Sequence, residues 1–426
     1  MSRPKLFRDP VHDIISLPKD RPEDRVLLAL IECRELQRLR RIRQLGLTHL
    51  VYHGAEHSRF VHSMGVMWVA RRMLAQLRPD MAPGDWLAIV AAALCHDVGH
   101  GPFSHVAERL GGFHHEHVTH ALLTTPGTDL HAVLSEYDPA LPEAVASAPS
   151  RPLGEVVSSQ LDADRIDYIL RDGLATGVKI GVFDVARILT MLEEHDGRLA
   201  VSFRALEAVE GYLLARFHMY KQVYLHKATR AAERMLEAAL RRARHVHTGP
   251  STTPLDRLVA GTLRLPDDVA ALDDTDMWCA LKGWAQSSDA PLARLASGLV
   301  HRHLYKTVPI PFGPEGDQRV EDARRAATAH GFDADSAVLT DSSEESPYSP
   351  YQPGAPEDDS PVRIVGPDGR IEPIERVSVV VQLFGRIQYR VRRLIVHPDL
   401  FPRLAAPDPM GAAADELAQP ELPFGA

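Results

Sequence analysis

Apolar residues recur at three- and four-residue steps through most of the chain from Glu23 to about His245, in VLLALIECRELQRL, SMGVMWVARRMLAQL, DWLAIVAAALCHDVGH and ATRAAERMLEAALRRA. That spacing collects the apolar side chains on one stripe of a helix, so it predicts a mainly helical body. Gly65 lies inside one run, where a helix tolerates it; Pro79, Pro83–Gly84 and Gly101–Pro102 mark helix ends. PLARLASGLVHRHLY carries the helical pattern on through residues 250 to 310. The pattern then fails: DADSAVLTDSSEESPYSPYQPGAPEDDSP is acidic and rich in Ser and Pro, which predicts a flexible loop unable to bury a core. Beyond it, VRIVGPDGRIEPIE reads as a hairpin around Pro367–Asp368–Gly369, and VSVVVQLF and IQYRVRRLIVHP read as strands. The predicted organisation is a core over 1–245, a helical extension over 246–332, the acidic flexible loop over 333–361, a small β-containing region over 362–402 and a disordered tail over 403–426. No internal repeat is visible.

A chain of 426 residues suffices for two domains and a large buried core. The apolar stretch Trp86 to Cys95 is too short to span a bilayer, and no apolar run follows the basic residues of MSRPKLFRDPVHD. Three cysteines make no disulfide framework, so the expected location is the cytoplasm, away from membranes. The formal charge of −9 argues against nucleic acid as the default partner. One segment, RELQRLRRIRQLG, runs against that balance: Arg34, Arg38, Arg40, Arg41 and Arg43 form either a solvated helix face or a polyanion site. Histidine is the informative residue type: of 22, seven fall between His96 and His120 inclusive, and histidine is the commonest metal ligand and proton carrier near neutral pH.

These histidines frame a candidate metal site. In ALCHDVGHGPFSH an apolar helix ends on His96–Asp97, followed by His100 and His105. An imidazole and a carboxylate side by side suit a divalent ion such as Mn, Fe, Ni, Zn or Mg. His62, opening an earlier helix, and Asp164, in LDADRIDYILRD, complete a four-ligand set. A lone His on an apolar helix is ordinarily a core residue satisfied by its neighbours; here Arg59 lies three before His62, and Arg165 follows Asp164. A metal with surrounding cations is what phosphoryl hydrolysis requires.

KLFRDPVHD, LQRLRRIRQLG, GAEHSRFVHSMGV, LCHDVGHGPFSH, HHEH, LDADRIDY and YLHK occur in this order, and with them the chain resembles the HD-domain superfamily. The nearest branch is that of the sterile-alpha-motif-and-HD-domain dNTP triphosphohydrolase and its bacterial relatives. The likeness runs from Lys5 to Lys227 and, more weakly, on to LYKTV. It implies a helical HD-domain core with a smaller α+β C-terminal region, and one divalent metal per site on His62, His96, Asp97 and Asp164. His100, His105 and His115 match histidines around the α-phosphate, with Glu108 partnering His105 as proton donor. Arg59, Arg165 and Arg216 match triphosphate contacts, Arg165 standing where the best-known member has lysine. Tyr168, Asp172 and Gln44 match sugar contacts, and Leu45 with Tyr224 the pair that leaves no room for a 2′-hydroxyl.

The resemblance also implies a second nucleotide site between subunits, whose filling drives tetramer formation, at the positions of Lys5, Glu32, Gln37, Arg40, Arg187, Arg204, His226 and Lys227. Two positions depart from the pattern: Arg8 replaces an asparagine, and Glu32 an aspartate that reads guanine in the best-known member. The plainer reading of this set is ion pairing at a homo-oligomer interface. Together the residues and the resemblance lead to a metal-dependent dNTP triphosphohydrolase, activated by a nucleotide. The alternatives are an HD phosphohydrolase of another nucleotide (NTP, NMP, cyclic nucleotide or alarmone) and a nucleotide-sensing or nucleic-acid-binding oligomer.

Overall fold

The computed structural model describes residues 3–246, 249, 251–345, 361–384 and 389–404. The chain opens on an antiparallel hairpin of β1 (Lys5–Asp9) and β2 (Asp13–Leu17), five-residue strands too short to show a period in the sequence. Nine helices follow among the described residues: α1 (Pro22–Glu32), α2 (Arg34–Arg38), α3 (Arg59–Leu77), α4 (Pro83–Cys95), α5 (His105–Gly111), α6 (His115–Thr124), α7 (Asp129–Tyr137), α8 (Leu141–Ala146) and α9 (Ala163–Thr176). Every residue of α4 from Trp86 to Cys95 is buried, as expected of a helix that is apolar all round. It forms the centre of the first core, with Met64, Met67 and Met73 of α3 and Ile166 and Ile169 of α9 in the same cluster.

The close crossing of α3 and α9 depends on Gly65. A Cβ there would fall 1.9 Å from Asp167 Oδ1 and 2.5 Å from Arg171 Nη2. Gly65 is therefore required by the packing, where its sequence context suggested only that it was tolerated.

After α9 come α10 (Val185–Thr190), the hairpin β3 (Leu192–His195) with β4 (Arg198–Ser202), α11 (Leu206–Met219), a π-type turn at Tyr220–Tyr224, and α12 (Lys227–Val246). The apolar face of α12 (Ala232, Met235, Leu236 and Leu240 among it) nucleates a second core. It is joined there by α13 (Pro254–Ala260), α15 (Asp274–Trp284) and α16 (Ala290–Val300), with α14 (Asp267–Ala271) between them in the chain.

The rest of the chain is mixed: β5 (Lys306–Pro309), α17 (Pro314–Ala329), α18 (Ala334–Ala337), β6 (Val338–Glu345), β7 (Arg363–Val365), β8 (Ile371–Pro373), α19 (Ile374–Val377), α20 (Val379–Phe384), β9 (Tyr389–Val396) and α21 (Phe401–Leu404). β9 lies between β5 and β6, antiparallel to both. β7 joins β4 in parallel and pairs with β8 in the hairpin expected at Pro367–Gly369. The molecule is thus mainly α, with a smaller sheet-containing C-terminal region.

Two expectations fail here. The first part of the predicted acidic loop, Ala334–Glu345, is helix and strand. Its charge is not spent on solvent: Asp341 of β6 is 1% exposed and accepts hydrogen bonds from Arg230 and Arg234 of α12. Residues 346–360 and the tail from 405 to 426 lie outside the described residues. VSVVVQLF, read as a strand, runs from the last residue of α19 through Ser378 into α20; Ser378 Oγ accepts the Val381 N–H at 3.0 Å and starts α20 in spite of its valines.

Candidate metal centre and substrate cavity

Three helix ends deliver the four candidate ligands. His62 lies in the first turn of α3, one turn beyond Arg59; His96 and Asp97 follow the last residue of α4; Asp164 lies in the first turn of α9. His62 Nε2 lies 2.9 Å from Asp164 Oδ1 and 3.9 Å from Asp97 Oδ2, and His96 Nε2 lies 3.3 Å from Asp97 Oδ1 and 3.6 Å from Asp164 Oδ1. His62, His96 and Asp97 form a group of ligand atoms all within 4.8 Å of one another.

Among the described residues, the buried His62 Nε2 and His96 Nε2 atoms have no well-directed hydrogen bond and face only the carboxylates just named. Burial disfavours charge on His62, yet the carboxylates of Asp164 and Asp167 outweigh it and lift its pKa to about 10. A proton thus stands where a cation would relieve the carboxylates. The donor set fits a divalent ion such as Mn, Fe, Mg, Ni or Zn, and metal binding would release that proton. Arg59 forms an ion pair with Asp97 and donates to Ser104 Oγ.

Asp167, one turn beyond Asp164 on α9, holds the back of His62, accepting from Nδ1 at 2.8 Å. The sequence carries the signal, an acidic residue three after Asp164, but its use depends on the α3–α9 crossing. On the cavity side, His100 Nε2 is 3.2 Å from Asp97 Oδ1 and the ring stacks on His115 with centroids 3.8 Å apart. Glu108 reaches both Nδ1 atoms, at 2.8 Å for His100 and 3.1 Å for His115. Burial, then Arg59, pushes His100 down to about 4, so it is neutral at physiological pH. The side chain of His105 lies outside the described residues.

The loop joining these histidines is strained. Phe103 and Ser104 have φ of 51° and 53°, a region that costs non-glycine residues on the order of 1–3 kcal/mol each. Asp274, at the start of α15, holds the loop by accepting the N–H groups of Phe103 at 2.9 Å and Arg43 at 3.0 Å. Burial raises the Asp274 pKa to about 6 in spite of those bonds. Asp274→Ala would orphan two backbone donors; a loss of about 2–4 kcal/mol in urea unfolding is expected, with weakened turnover because the His100 loop relaxes. Unchanged stability would refute this role.

The ligands open onto a cavity of about 990 Å³. Gln44, Leu45, Arg165, Tyr168, Asp172 and Tyr224 line it, as do His96, Asp97 and Asp164. Arg165 is tethered by Asp162, the N-cap of α9. Among the described residues, Gln44 Oε1 is buried without a hydrogen-bond partner, open to a donor on a ligand. Asp172 lines the cavity with both oxygens engaged, by His57 Nε2 at 2.7 Å and Tyr224 Oη at 2.8 Å. His57 also accepts the Gln44 N–H on its carbonyl, so it ties Gln44 to Asp172. Tyr220 lines the cavity too, its ring 5.1 Å from that of Tyr224; the four-residue spacing of the two tyrosines was the available clue. Arg216 does not line the cavity: it is buried, donates to Gln160 Oε1 and lies 5.9 Å from the Tyr220 ring.

The Arg-rich segment is for the most part an exposed face with ion pairs, Arg34, Arg40 and Arg41 being exposed and Arg34 pairing with Glu35 and Asp129. Arg38 is buried and donates to the carbonyls of Val98 and Leu272; Arg41 binds Asp273, and Arg43 binds Glu56. Arg40 is exposed, over the Phe60 ring at 3.6 Å and bonded to Gln37. Of the other candidate effector residues, Lys5 lies on β1, Glu32 ends α1, and Arg187 donates to the Arg204 carbonyl. His226 and Lys227 sit where the π-type turn passes into α12. The structure joins Gln37 to Arg40 and Arg187 to Arg204 within one chain.

Three helix termini carrying His62, His96–Asp97 and Asp164 around one cavity define a class, and the sequence comparisons agree with it. Residues 59–134 match the HD domain and residues 183–399 the HD associated region, and the chain belongs to the HD-domain phosphohydrolases. YwfO of Bacillus subtilis is 35% identical over 395 residues, 90% of this chain and 89% of that protein. The deoxynucleoside triphosphate triphosphohydrolase SAMHD1 of Danio rerio is 32% identical over 288 residues, 56% of this chain and 45% of that protein. The chain thus spans less than half the length of that relative. A phosphohydrolase of known structure from Bacteroides thetaiotaomicron, 31% identical, superposes with a TM-score of 0.78 over 92% of this chain and 100% of that one. No helix among the described residues is long and apolar enough to cross a membrane.

Proposed function

We propose that this HD-domain protein hydrolyses deoxynucleoside triphosphates to a deoxynucleoside and tripolyphosphate, with one divalent metal per site. The observation that carries the reading is that one cavity is lined by His96, Asp97 and Asp164, with His62 buried behind them against Asp164, and by Arg165, Gln44, Leu45 and Tyr224. Its relatives named as dNTP triphosphohydrolases support it.

A metal held by His62, His96, Asp97 and Asp164 would supply Lewis-acid polarisation of the α-phosphate and a more acidic water. Arg59 and Arg165 neutralise charge that builds on the triphosphate; Arg216 serves only if a bound substrate draws it past Tyr220. His100, neutral, and His115 flank the α-phosphate. Water adds to the α-phosphorus, the bond to the 5′-oxygen breaks, and that oxygen takes a proton. His105 is the proposed donor, with Glu108 one turn on along α5 favouring its protonated form.

Gln44 Oε1 accepts the 3′-hydroxyl, while Leu45 and Tyr224 close off the 2′ position. A site that gives a hydroxyl no room and no partner rejects it. Leu45→Gly should therefore raise kcat/KM for NTPs relative to dNTPs by roughly 10- to 100-fold. Excess chelator should abolish turnover of both, and Mn²⁺ should restore it. An unchanged sugar ratio would remove Leu45 from this role, and chelator-resistant turnover would remove the metal.

We further propose that a nucleotide effector binds between copies of the chain in a tetramer. In support, Lys5, Arg40, Arg187, Arg204 and Lys227 are exposed cations that no carboxylate pairs with among the described residues. The formal charge of −9 weighs against the nucleic-acid reading.

A further inference from the structure

The N-terminal hairpin reaches the metal centre through a chain of buried charges that the hydrolytic chemistry leaves unused. Asp9, at the end of β1, accepts the N–H groups of Val11 and His12 at 2.9 Å each, which shapes the turn and presents the His12 ring inward. His12 Nε2 lies 2.6 Å from Asp167 Oδ1. Arg171, one turn beyond Asp167 on α9, joins the same two carboxylates: it donates to Asp167 at 2.8 and 2.9 Å and to Asp9 at 3.0 and 3.2 Å. Asp167 Oδ2 meets Nδ1 of His62 at 2.8 Å. The side chains of His12, Asp167, Arg171, Asp9 and His62 are 4%, 0%, 1%, 5% and 0% exposed, so water cannot stand in for any of them. The rest of the hairpin holds on by Ile15 and Leu17, while Lys5, Leu6, Arg8 and Ile14 face solvent.

We infer that the β1–β2 hairpin is part of the metal site: Asp9 and His12 fix Asp167, Asp167 fixes the ring of His62, and metal binding is thereby linked to seating of the hairpin. A carboxylate on Nδ1 holds the tautomer whose Nε2 is free to ligate, and such outer partners ordinarily carry 10- to 100-fold in metal affinity. Arg171, within α9, and His12, presented by the turn at Asp9, occupy the other lone pairs of Asp167, and Asp9 holds the far side of Arg171. His12, Asp9 and Arg171 are positioning residues: they touch neither substrate nor metal. Linkage is reciprocal, so metal must stabilise the hairpin by the same factor that the hairpin strengthens metal binding.

The inference rests on the metal reading above, and the test separates the two. Mn²⁺ affinity of the full chain is measured by calorimetry for wild type, His12→Ala and His12→Gln, whose amide can replace the Nε2 donor. Hydrogen exchange of the amides of Lys5–Leu17 is followed with and without Mn²⁺. Wild type is expected to bind Mn²⁺, His12→Ala to bind about tenfold more weakly, and His12→Gln to recover most of the loss. Mn²⁺ should slow hairpin exchange in wild type by a similar factor. Equal affinity in His12→Ala, or hairpin exchange indifferent to Mn²⁺ in a wild type that binds it, would overturn the linkage. A wild type that takes up no divalent metal would overturn the metal reading itself. The exchange measurement uses wild type, so a His12→Ala chain that failed to fold would leave the test in force.

Discussion

Replacing His96 and Asp97 together by alanine is expected to lower kcat/KM for nucleotide hydrolysis by at least about 10³-fold, the scale of losing preorganised electrostatic stabilisation at the reacting phosphate. Both residues follow α4 directly; His96 Nε2 lies 3.6 Å from Asp164 Oδ1, and Asp97 faces His62 and His100. No other described histidine lies close enough to both Asp97 and His62 to take the place of His96. The fold should survive, because α4 is held by its apolar residues from Trp86 to Cys95. The variant gives up the ion pair of Asp97 with Arg59, which keeps its bonds to Ser104 Oγ. The diagnostic is the metal-dependent rise in melting temperature: present in wild type, absent in the double variant, with the far-ultraviolet dichroism unchanged. Wild-type turnover in the variant would sink the assignment of the metal site.

Gly65→Ala is expected to destabilise the first core strongly. Its methyl group would need space that Asp167 Oδ1 and Arg171 Nη2 already fill, at 1.9 and 2.5 Å. Overpacking alone costs about 1–3 kcal/mol, and parting a buried ion pair about 3–5 kcal/mol. A loss of at least about 3 kcal/mol in urea unfolding is expected, at or above the top of the usual range of about 0.5–3 kcal/mol for point variants. Since Asp167 backs His62, metal affinity should fall together with stability. A Gly65→Ala chain as stable as wild type would mean that α3 and α9 separate more easily than their packing implies.

Gly65 also marks where sequence reading stops. The helical body and the order of His62, His96, Asp97 and Asp164 were legible, because apolar period and chemically unusual residues are local signals. What Gly65 does was not, since its neighbour is Asp167, on a helix reached only by folding. Asp341 repeats the lesson: its segment reads as solvated loop until Arg230, 111 residues away, neutralises it inside the fold. The valines of α20 were misread because one serine cap, Ser378, outweighs their strand preference. In the cavity, resemblance pointed to Gln44, Leu45, Arg165, Tyr168, Asp172 and Tyr224, all of which line it, but also to Arg216, which does not. His57 was passed over because its value lies in joining the Gln44 backbone to Asp172, a relation with no trace in spacing.

The proposal of a dNTP triphosphohydrolase meets its most direct test in product analysis. The purified chain is incubated with each dNTP and NTP, with Mn²⁺ or Mg²⁺, with and without a second nucleotide, and the phosphorus-containing products are identified by ³¹P resonance. The expected result is tripolyphosphate with an equal amount of deoxynucleoside from dNTPs, and little product from NTPs. Orthophosphate, pyrophosphate or a nucleoside monophosphate as the primary product would contradict it.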